Sequence, residues 1–495
     1  MVIKKQTIKL KKVQKNSKPS FEKNKKITKK PVVKTKATVD NKGSEVTKKT
    51  EEKKPSKKFS KDLAPLRGMK DILPKDEQFW KAAHHEAEDI AHAYNFGWIE
   101  TPILEEVSLF IRSIGKGTDV VDKEMYVFED RDGSKVGLRP EATASLVRSY
   151  ITNGMQSESQ PVKVWTCGPM FRHDRPQAGR FRQFHQFNCE SFGVKDASVD
   201  AELIVVAYNF LNDLGISSTV FINSIGSKED RDNYTIELVA YLRSKRSYLC
   251  DDCKKRMNKN PLRSLDCKVE QCQPVIEDAP KIIDWLGVES KKYFMKVLEY
   301  LDELEVPYML QPTLVRGLDY YTDTVFEIYE DQDKADTQKS SQGALGGGGR
   351  YDLLIGQLGG QPTPASGFAI GLERVVMALK NLKEKGKNIP IVEKRSKIFF
   401  AQLGDQARMR ALGLIEKLRR EGVLVYHNIG KSSLKGQLEL ANKYGVTHSL
   451  ILGQKEVLDG TIIIRDMDSG IQEIVDQQKI KQELKKNKLI TIKSE

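Results

Sequence analysis

Between Gly168 and Glu190 the chain reads GPMFRHDRPQAGRFRQFHQFNCE, a run in which arginines, aromatics and a closing carboxylate recur at strand-loop-strand spacing. Met170, Phe171 and Arg172 end a segment that alternates apolar and polar, and Phe181, Gln183, Phe184, Gln186 and Phe187 resume that rhythm after a loop carrying Asp174, Arg175, Pro176, Gln177, Gly179 and Arg180. A guanidinium can grip phosphate oxygens through two parallel charge-assisted hydrogen bonds, so an arginine at a strand end suits a reacting phosphate. Taken alone, the same residues also fit a basic surface hairpin. Three more arginines stand beside glycine, aromatic or acidic neighbours: Arg316 in LVRGLDYY, Arg350 after the run Gly346 to Gly349, and Arg374 closing GFAIGLER. Each by itself fits an ordinary exposed or ion-paired group; convergence of several would suit a triphosphate, whose chemistry needs positioning and charge stabilisation rather than a side-chain nucleophile.

Such a site needs a scaffold, and 495 residues with 39% apolar content suffice for about three domains with ordinary cores. Residues 1–61 are different: they hold 22 lysines, no arginine and five acids, a net +17, whereas the whole chain is +14. The basic character therefore belongs to a disordered Lys-rich extension, and the remaining 434 residues sum to −3. That arm reads either as a salt-sensitive contact for a polyanion such as RNA or as a solvated extension without a partner. The missing arginines and the lack of an amphipathic helix argue against a transit peptide.

The folded region starts near Leu66, with a helix over Glu77 to Tyr94. A short strand from Gly97 to Leu104 follows, interrupted by Pro102 and therefore suited to an edge or an interface. Residues 123–140 read as an antiparallel pair around Asp132-Gly133, with a helix starting after Arg139-Pro140-Glu141-Ala142-Thr143. Further strands are expected at Thr219 to Asn223, Leu314 to Tyr321 and Val325 to Tyr329, and a helix at Ala201 to Leu214. Residues 228–310 are mostly helical and charged and read as an insertion. Beyond a linker near 383–395, strands alternate with helices as in a small α/β domain.

Six cysteines do not make a disulfide scaffold in so large a chain, and Cys167 and Cys189 read as buried thiols in strands. Cys250, Cys253, Cys267 and Cys272 show C-x2-C, thirteen residues, then C-x4-C, close to the spacing of a tetrahedral zinc site. Packing thiols in a helical insertion are the other reading. Two nucleotide signatures fail: Gly430-Lys431-Ser432 ends like a P-loop but has Val425 where the first glycine belongs, and the Gly346 to Gly349 run lacks a dinucleotide fingerprint and fits a tight passage beside a ligand or strand. No stretch approaches the length of a membrane span.

These motifs together, in their order, resemble the histidyl-tRNA synthetases, a class II aminoacyl-tRNA synthetase family, from about Leu66 to Val475. The resemblance rests on Arg139 to Thr143, Gly168 to Glu190, Leu314 to Tyr321, Gly347 to Asp352 and Gly367 to Arg374, with Gly430 to Gln437 and Asp459-Gly460-Thr461 matching that family's anticodon-binding domain. It implies an α+β catalytic core on an antiparallel sheet at 62–385, with the helical insertion at about 228–310, an anticodon-binding α/β domain at 396–480 and a tail at 481–495. It also implies activation of L-histidine by ATP with Mg2+, then transfer to the 3′ end of tRNA(His), by a cytoplasmic homodimer joined around Pro102.

By the same resemblance Arg172 and Arg316 would hold the α-phosphate and carboxylate, and Arg374 the polyphosphate and adenine, with Phe184 as the opposing aromatic face. Glu141, Ala142, Thr143 and Gln186 would surround the ammonium group. Glu190 and Tyr321, with Tyr320 nearby, would meet the imidazole, and Gln177 and Arg180 would lie near the tRNA acceptor end. Two alternatives come from other classes: an inert synthetase-like regulatory subunit of histidine biosynthesis, which typically lacks these arginines and the C-terminal domain, and a non-catalytic RNA-binding protein using the lysine arm and the last domain, which leaves Glu141, Gln186, Glu190 and Tyr321 unexplained. Ala142 and Leu353 stand where the family often has glycine, and the polar loop 330–342 leaves closure over the histidine pocket open.

Overall fold

The structure is a computed structural model that describes residues 63–486 apart from 116–117, 119, 177–178, 332–342, 388 and 391–397. The Lys-rich arm, Gln177, most of the loop 330–342 and residues 487–495 of the tail lie outside the described residues. Two sheets dominate the chain, and a small third one flanks the first. In chain order the strands of the first body are β1 (Gly97–Trp98), β2 (Leu104–Glu106), β3 (Val127–Glu129), β4 (Lys135–Leu138), β5 (Val162–Phe171), β6 (Gln183–Phe192), β7 (Ser218–Ser224), β8 (Tyr308–Leu310), β9 (Thr322–Glu330), β10 (Gly346–Arg350) and β11 (Ala365–Gly371). The large sheet runs β1-β5-β6-β11-β10-β9-β7-β8. Its six central strands are antiparallel, and the short β1 and β8 add parallel edges.

Period-two alternation gives this sheet two distinct faces. Phe187, Cys189, Phe326, Ile328, Phe368 and Ile370 point into a core with the helices Glu77–Ala93, Ala197–Asp213, Val288–Glu303 and Leu372–Glu384. The alternate residues face a second core shared by the helix Thr143–Thr152, the cysteine-bearing segment and Tyr320, Tyr321 and Tyr351. Helix starts follow local chemistry: Asp196 accepts from the Ser198 amide, and Ser227 and Asp230 form a reciprocal capping box.

Several elements depart from the expectations of the sequence. Leu314 to Tyr321 forms no strand; it is an irregular loop, and ladder pairing begins only at Thr322. Its apolar residues are buried by packing rather than by pairing, which an apolar run cannot distinguish. Not all of 228–310 is an insertion: Phe294, Val297, Leu298 and Leu301 of the helix Val288–Glu303 pack in the helix-side core, and β8 joins the large sheet. The glycine run is a central strand, β10, paired on both sides. Glycine is a poor strand former, but here a Cβ on Gly348 would lie 2.0 Å from the Gly367 carbonyl oxygen, so close backbone approach selects it. As expected, the Pro102 segment stays at the periphery, with Trp98 on the sheet edge and 61% exposed.

The C-terminal sheet contains β12 (Ile398–Gln402), β13 (Val425–His427), β14 (His448–Leu452), β15 (Thr461–Asp466) and β16 (Gln472–Asp476), in the order β13-β12-β14-β15-β16. The first three are parallel and the last two antiparallel. The helices Asp405–Arg420 and Leu434–Tyr444 cover opposite faces, each over its own apolar cluster. The β16 strand was not expected: only Val475 in it is buried, so it carries almost no apolar signal. Among the described residues no helix is long and apolar enough to cross a membrane.

Candidate active site

The strand β6 brings Phe184, Gln186, Asn188 and Glu190 onto the non-helical face of the large sheet. Glycines stand opposite the two outer polar residues and beyond: Gly168 pairs with Gln186, Gly367 with Glu190, Gly371 with Gln186, and Gly347 and Gly349 continue the floor on β10, while Asn188 faces Thr166 and Ala369. The glycine at 367 is obligatory for this arrangement, since a Cβ there would sit 1.5 Å from Glu190 Oε2. The result is a glycine-floored trough walled by charged and aromatic groups.

At one end lies a buried acidic pocket. Glu141 accepts the amide N–H groups of Thr143 and Ala144 at 2.7 and 2.8 Å, and so caps the helix Thr143–Thr152. Ala142 is fully buried between the two. Thr143 Oγ1 donates to Glu190 Oε1 at 2.7 Å, and the Tyr351 hydroxyl donates to Glu190 Oε2. Tyr320 completes an aromatic wall, with ring centroids 4.7 Å from Tyr321 and 5.4 Å from Tyr351. Burial pushes the Glu190 carboxyl up to about 8 even though the Tyr351 and Thr143 donors pull it down, and burial likewise raises Glu141. A cationic or N–H-bearing ligand would offset that desolvation; an apolar one would not.

The arginines border the same trough. Arg172 donates from Nε to the Pro140 carbonyl at 2.8 Å and lies 5.4 Å from the Phe184 ring centroid, so Phe184 here faces a guanidinium. Arg316 pairs with Glu327 at 2.5 Å, lies 5.7 Å from the Tyr321 ring centroid, and places Nη1 where a Gly347 side chain would be. Arg374 opens the helix Leu372–Glu384; its Nε donates to the Gly179 carbonyl at 3.1 Å and its Nη1 to the Ala344 carbonyl. The adjacent Glu373 accepts the His185 amide at 2.8 Å and thereby ties this helix start to β6. Arg180 pairs with Asp174 in the loop between β5 and β6.

Polar groups on this face without a protein partner among the described residues include Gln186 Oε1, Arg316 Nε, Arg139 Nη2 over Gly168, and both amide atoms of Asn188, itself only 1% exposed. Buried polar atoms left unpaired by the protein mark where a ligand can pair them. Asn188 and Tyr351 were missed by the sequence reading; the period-two spacing of Asn188 between Gln186 and Glu190 was the available signal.

Arg350 separates from the other arginines. It faces the helices, fully buried, bound to Asp200 at 2.6 Å and Asp352 at 3.0 Å, and so takes the ion-paired reading. A cavity of about 870 Å³ adjoins the trough at Glu327 and extends past Tyr329 to Leu265 and Asp266. It does not reach Glu190, whose surroundings are filled by the protein's own side chains.

The four insertion cysteines converge, with ligand atoms all within 4.8 Å of one another and three of the residues buried. Cys250 and Cys267 sulfurs are 3.8 Å apart, and the Cys250 amide donates to Cys272 Sγ at 3.2 Å. Cys189 is buried as expected, whereas Cys167 is partly exposed; both are free thiols in strands.

Comparison with known proteins gives the same assignment by an independent route. A histidyl-tRNA synthetase family profile matches residues 68–375, and an anticodon-binding-domain profile matches 389–487. The chain is 44% identical over 421 residues to a histidine–tRNA ligase of Dehalococcoides mccartyi, covering 85% of this chain and 98% of that one, and 43% identical over 412 residues to one of Aquifex aeolicus, covering 83% and 98%. Among solved structures, apo Staphylococcus aureus histidyl-tRNA synthetase superposes with a TM-score of 0.71 at 34% identity, covering 86% of this chain and all of that one. A Bacillus halodurans protein titled as a regulatory subunit/histidyl-tRNA synthetase shares the fold at 21% identity, with a TM-score of 0.56 and coverage of 79% and 98%. With a glycine-floored trough, a buried acidic pocket and relatives of this closeness, the chain belongs to the histidyl-tRNA synthetase family of aminoacyl-tRNA ligases.

Proposed function

We propose that the trough performs both half-reactions of this family on L-histidine, ATP and tRNA(His), with the activities carried by the residues whose geometry is given above. In the first, a histidine carboxylate oxygen attacks the α-phosphorus of ATP, the bond to the β-phosphate bridging oxygen breaks, and pyrophosphate leaves. Two anions meet in this step, so the cost is charge repulsion; Arg172 and Arg316 lower it at the reacting groups and Arg374 along the polyphosphate. Mg2+ enters with ATP and shares the pyrophosphate charge. In the second, a terminal ribose hydroxyl of tRNA attacks the acyl carbon and AMP leaves, with Arg180 and Gln177 beside the acceptor end.

Selection of histidine follows from pairing. Glu190 and the Tyr320, Tyr321 and Tyr351 hydroxyls offer a polar pocket for both ring nitrogens, while Glu141, Thr143 and Gln186 receive the ammonium group. An apolar amino acid would leave these groups unpaired, which rejects it strongly. The observation that carries this reading is the buried Glu190 carboxyl, enclosed yet costly to ionise without a ligand. ATP–pyrophosphate exchange measured with each of the twenty amino acids tests it: only histidine should support exchange, and Glu190→Ala should abolish histidine-dependent exchange while sparing ATP binding. Exchange driven equally by another amino acid, or left intact in the variant, refutes it.

The homodimer contact is proposed at the periphery around Pro102. Trp98, Ile103, Leu104, Val127 and Phe128 are all exposed there, an apolar area that supports burial against a second copy. A cytoplasmic location, the catalytic role of 62–385 and anticodon contact by 396–480 complete the reading. We further propose that Cys250, Cys253, Cys267 and Cys272 hold a structural zinc ion. Tetrahedral zinc with bonds of about 2.3 Å sets sulfurs about 3.8 Å apart, which the Cys250–Cys267 separation of 3.8 Å matches. The Cys253 amide directed at Cys250 Sγ, at 3.5 Å, supplies the N–H donor that thiolates need. Metal analysis of purified chain, with and without Cys253→Ser, tests this; less than stoichiometric zinc in the unaltered chain removes it.

A further inference from the structure

The thirteen residues between Cys253 and Cys267 do more than close a loop. Within them, the turn Pro261–Ser264 approaches the irregular loop that carries Arg316 and Tyr321. Asn260 Nδ2 donates to Asp319 Oδ1 at 2.6 Å. The guanidinium of Arg263 lies over Gly317, where an added methyl group would be 3.0 Å from Nη1, so glycine at 317 and arginine at 263 share one space. Beside the same cavity, Arg231 Nη1 donates to the Tyr321 carbonyl at 2.7 Å. The turn is in turn tethered to the cysteines: the Cys267 amide donates to the Ser264 carbonyl at 3.2 Å, and the helix Asp251–Lys259 that starts at the first cysteine pair ends at Asn260.

The Leu314 to Tyr321 loop has no strand partner, so Arg316 is oriented by side-chain contacts, its pair with Glu327 of β9 and the Tyr321 ring, rather than by ladder hydrogen bonds of its own backbone. A cavity of about 230 Å³ separates it from the insertion, bordered by Asn260, Arg263, Arg231, Arg316 and Asp319. Beside this cavity the two segments are joined by polar contacts as well as by apolar packing, since Leu262 and Leu265 share a cluster with Val315 and Leu318. At the same time Cys253, Cys267 and Cys272 belong to the apolar cluster that contains Leu314, Val315, Tyr320 and Tyr321, so a shift of the cysteine segment is transmitted to the loop.

Resting on the zinc reading above, we infer that the cysteine cluster is a positioning device for the histidine site: metal bound by the four thiolates fixes the turn Asn260–Arg263, and that turn holds the loop bearing Arg316, Tyr320 and Tyr321 in its binding geometry. Asn260 and Arg263 are positioning residues; neither touches substrate. The cluster thus couples metal occupancy to histidine recognition and leaves untouched the ATP contacts of Arg172, which directly follows β5, and of Arg374, which lies in the first turn of the helix Leu372–Glu384.

Pyrophosphate exchange by the full chain, with histidine and ATP varied in turn, tests the coupling alongside zinc content. Asn260→Ala and Arg263→Ala keep all four cysteines and should keep one zinc per chain. Each should raise the histidine KM about tenfold, as expected for one charged or short hydrogen bond lost, with the ATP KM changed less than about twofold. Arg263→Lys should recover part of the loss. Zinc removal by chelation should reproduce the raised histidine KM, and added zinc should reverse it. Wild-type histidine KM in both alanine variants overturns the inference even if zinc is present, and so does a folded zinc-free chain with unaltered histidine KM. Absence of zinc from the active protein overturns the metal reading itself, a separate failure seen in the metal analysis. If chelation unfolds the chain, the two alanine variants decide.

Discussion

The two faces of the large sheet each bury guanidinium groups and treat them in opposite ways. On the helix side Arg350 is fully enclosed, and its donors are spent on Asp200, Asp352 and the Val194 and Asp196 carbonyls. On the trough side Arg316 is held by Glu327 and by Tyr321, and its Nε has no protein partner among the described residues. The first arrangement offers nothing further to bind; the second keeps donors available beside a floor of glycines. Burial of an arginine is therefore not a mark of function, whereas incomplete satisfaction next to an open floor is.

The sharpest way to break this contrast is to exchange the outcomes. Arg316→Gln should lower histidine-dependent pyrophosphate exchange by about 10² to 10³-fold, the scale for losing one preorganised charge stabiliser, while urea denaturation stays near wild type. Asp200→Ala should do the reverse: leaving Arg350 buried without its main partner should cost about 3–5 kcal/mol of stability by denaturant titration, with exchange retained by the folded fraction. If Arg316→Gln instead unfolds the chain and Asp200→Ala only slows it, the two faces have been misassigned.

A smaller effect distinguishes Glu190 from an ordinary carboxylate. Its folded value of about 8 lies above the usual 4.5, so between those pH values the folded chain keeps a proton that the unfolded chain has lost. Its contribution to stability is thus present at low pH and lost as pH rises through about 8. Glu190→Gln should flatten the fall in stability between pH 5 and pH 8; an unchanged slope would mean that the carboxyl is already ionised at neutrality. The smallest change is expected at Asn188. Asn188→Ala removes two atoms that the protein does not pair, so stability should shift by less than about 1 kcal/mol, yet KM for one of the two small substrates should rise about three- to tenfold.

Motif residues close together in the chain were the legible part of the site. Glu141 and Thr143 are two residues apart, and Gln186 and Glu190 share a strand face four residues apart, and the family resemblance carried by these short motifs is what placed them in one pocket. Tyr351 and Asn188 were harder: Tyr351 gains its meaning only from its hydroxyl reaching Glu190, 161 positions away. The loop Leu314 to Tyr321 misled because apolar alternation reports burial, and a packed loop buries residues as well as a strand does. The run Gly346–Gly349 is the tight passage beside neighbouring strands that it was read as, but that it is itself a strand depends on the backbones beside it rather than on its own propensity.

By itself the sequence determined the chemical inventory: which arginines, acids, aromatics and cysteines exist, in which order, on which alternating positions, and that the basic charge sits in residues 1–61. That follows because period and motif spacing are local properties of a chain. Only the tertiary structure decided which arginine is neutralised and which is left with donors to spare, that four cysteines meet, and that a glycine opposite Glu190 gives its side chain room. Those outcomes depend on partners more than a hundred residues away, such as Asp200 for Arg350, and the energy of a buried charge is set by what surrounds it in space.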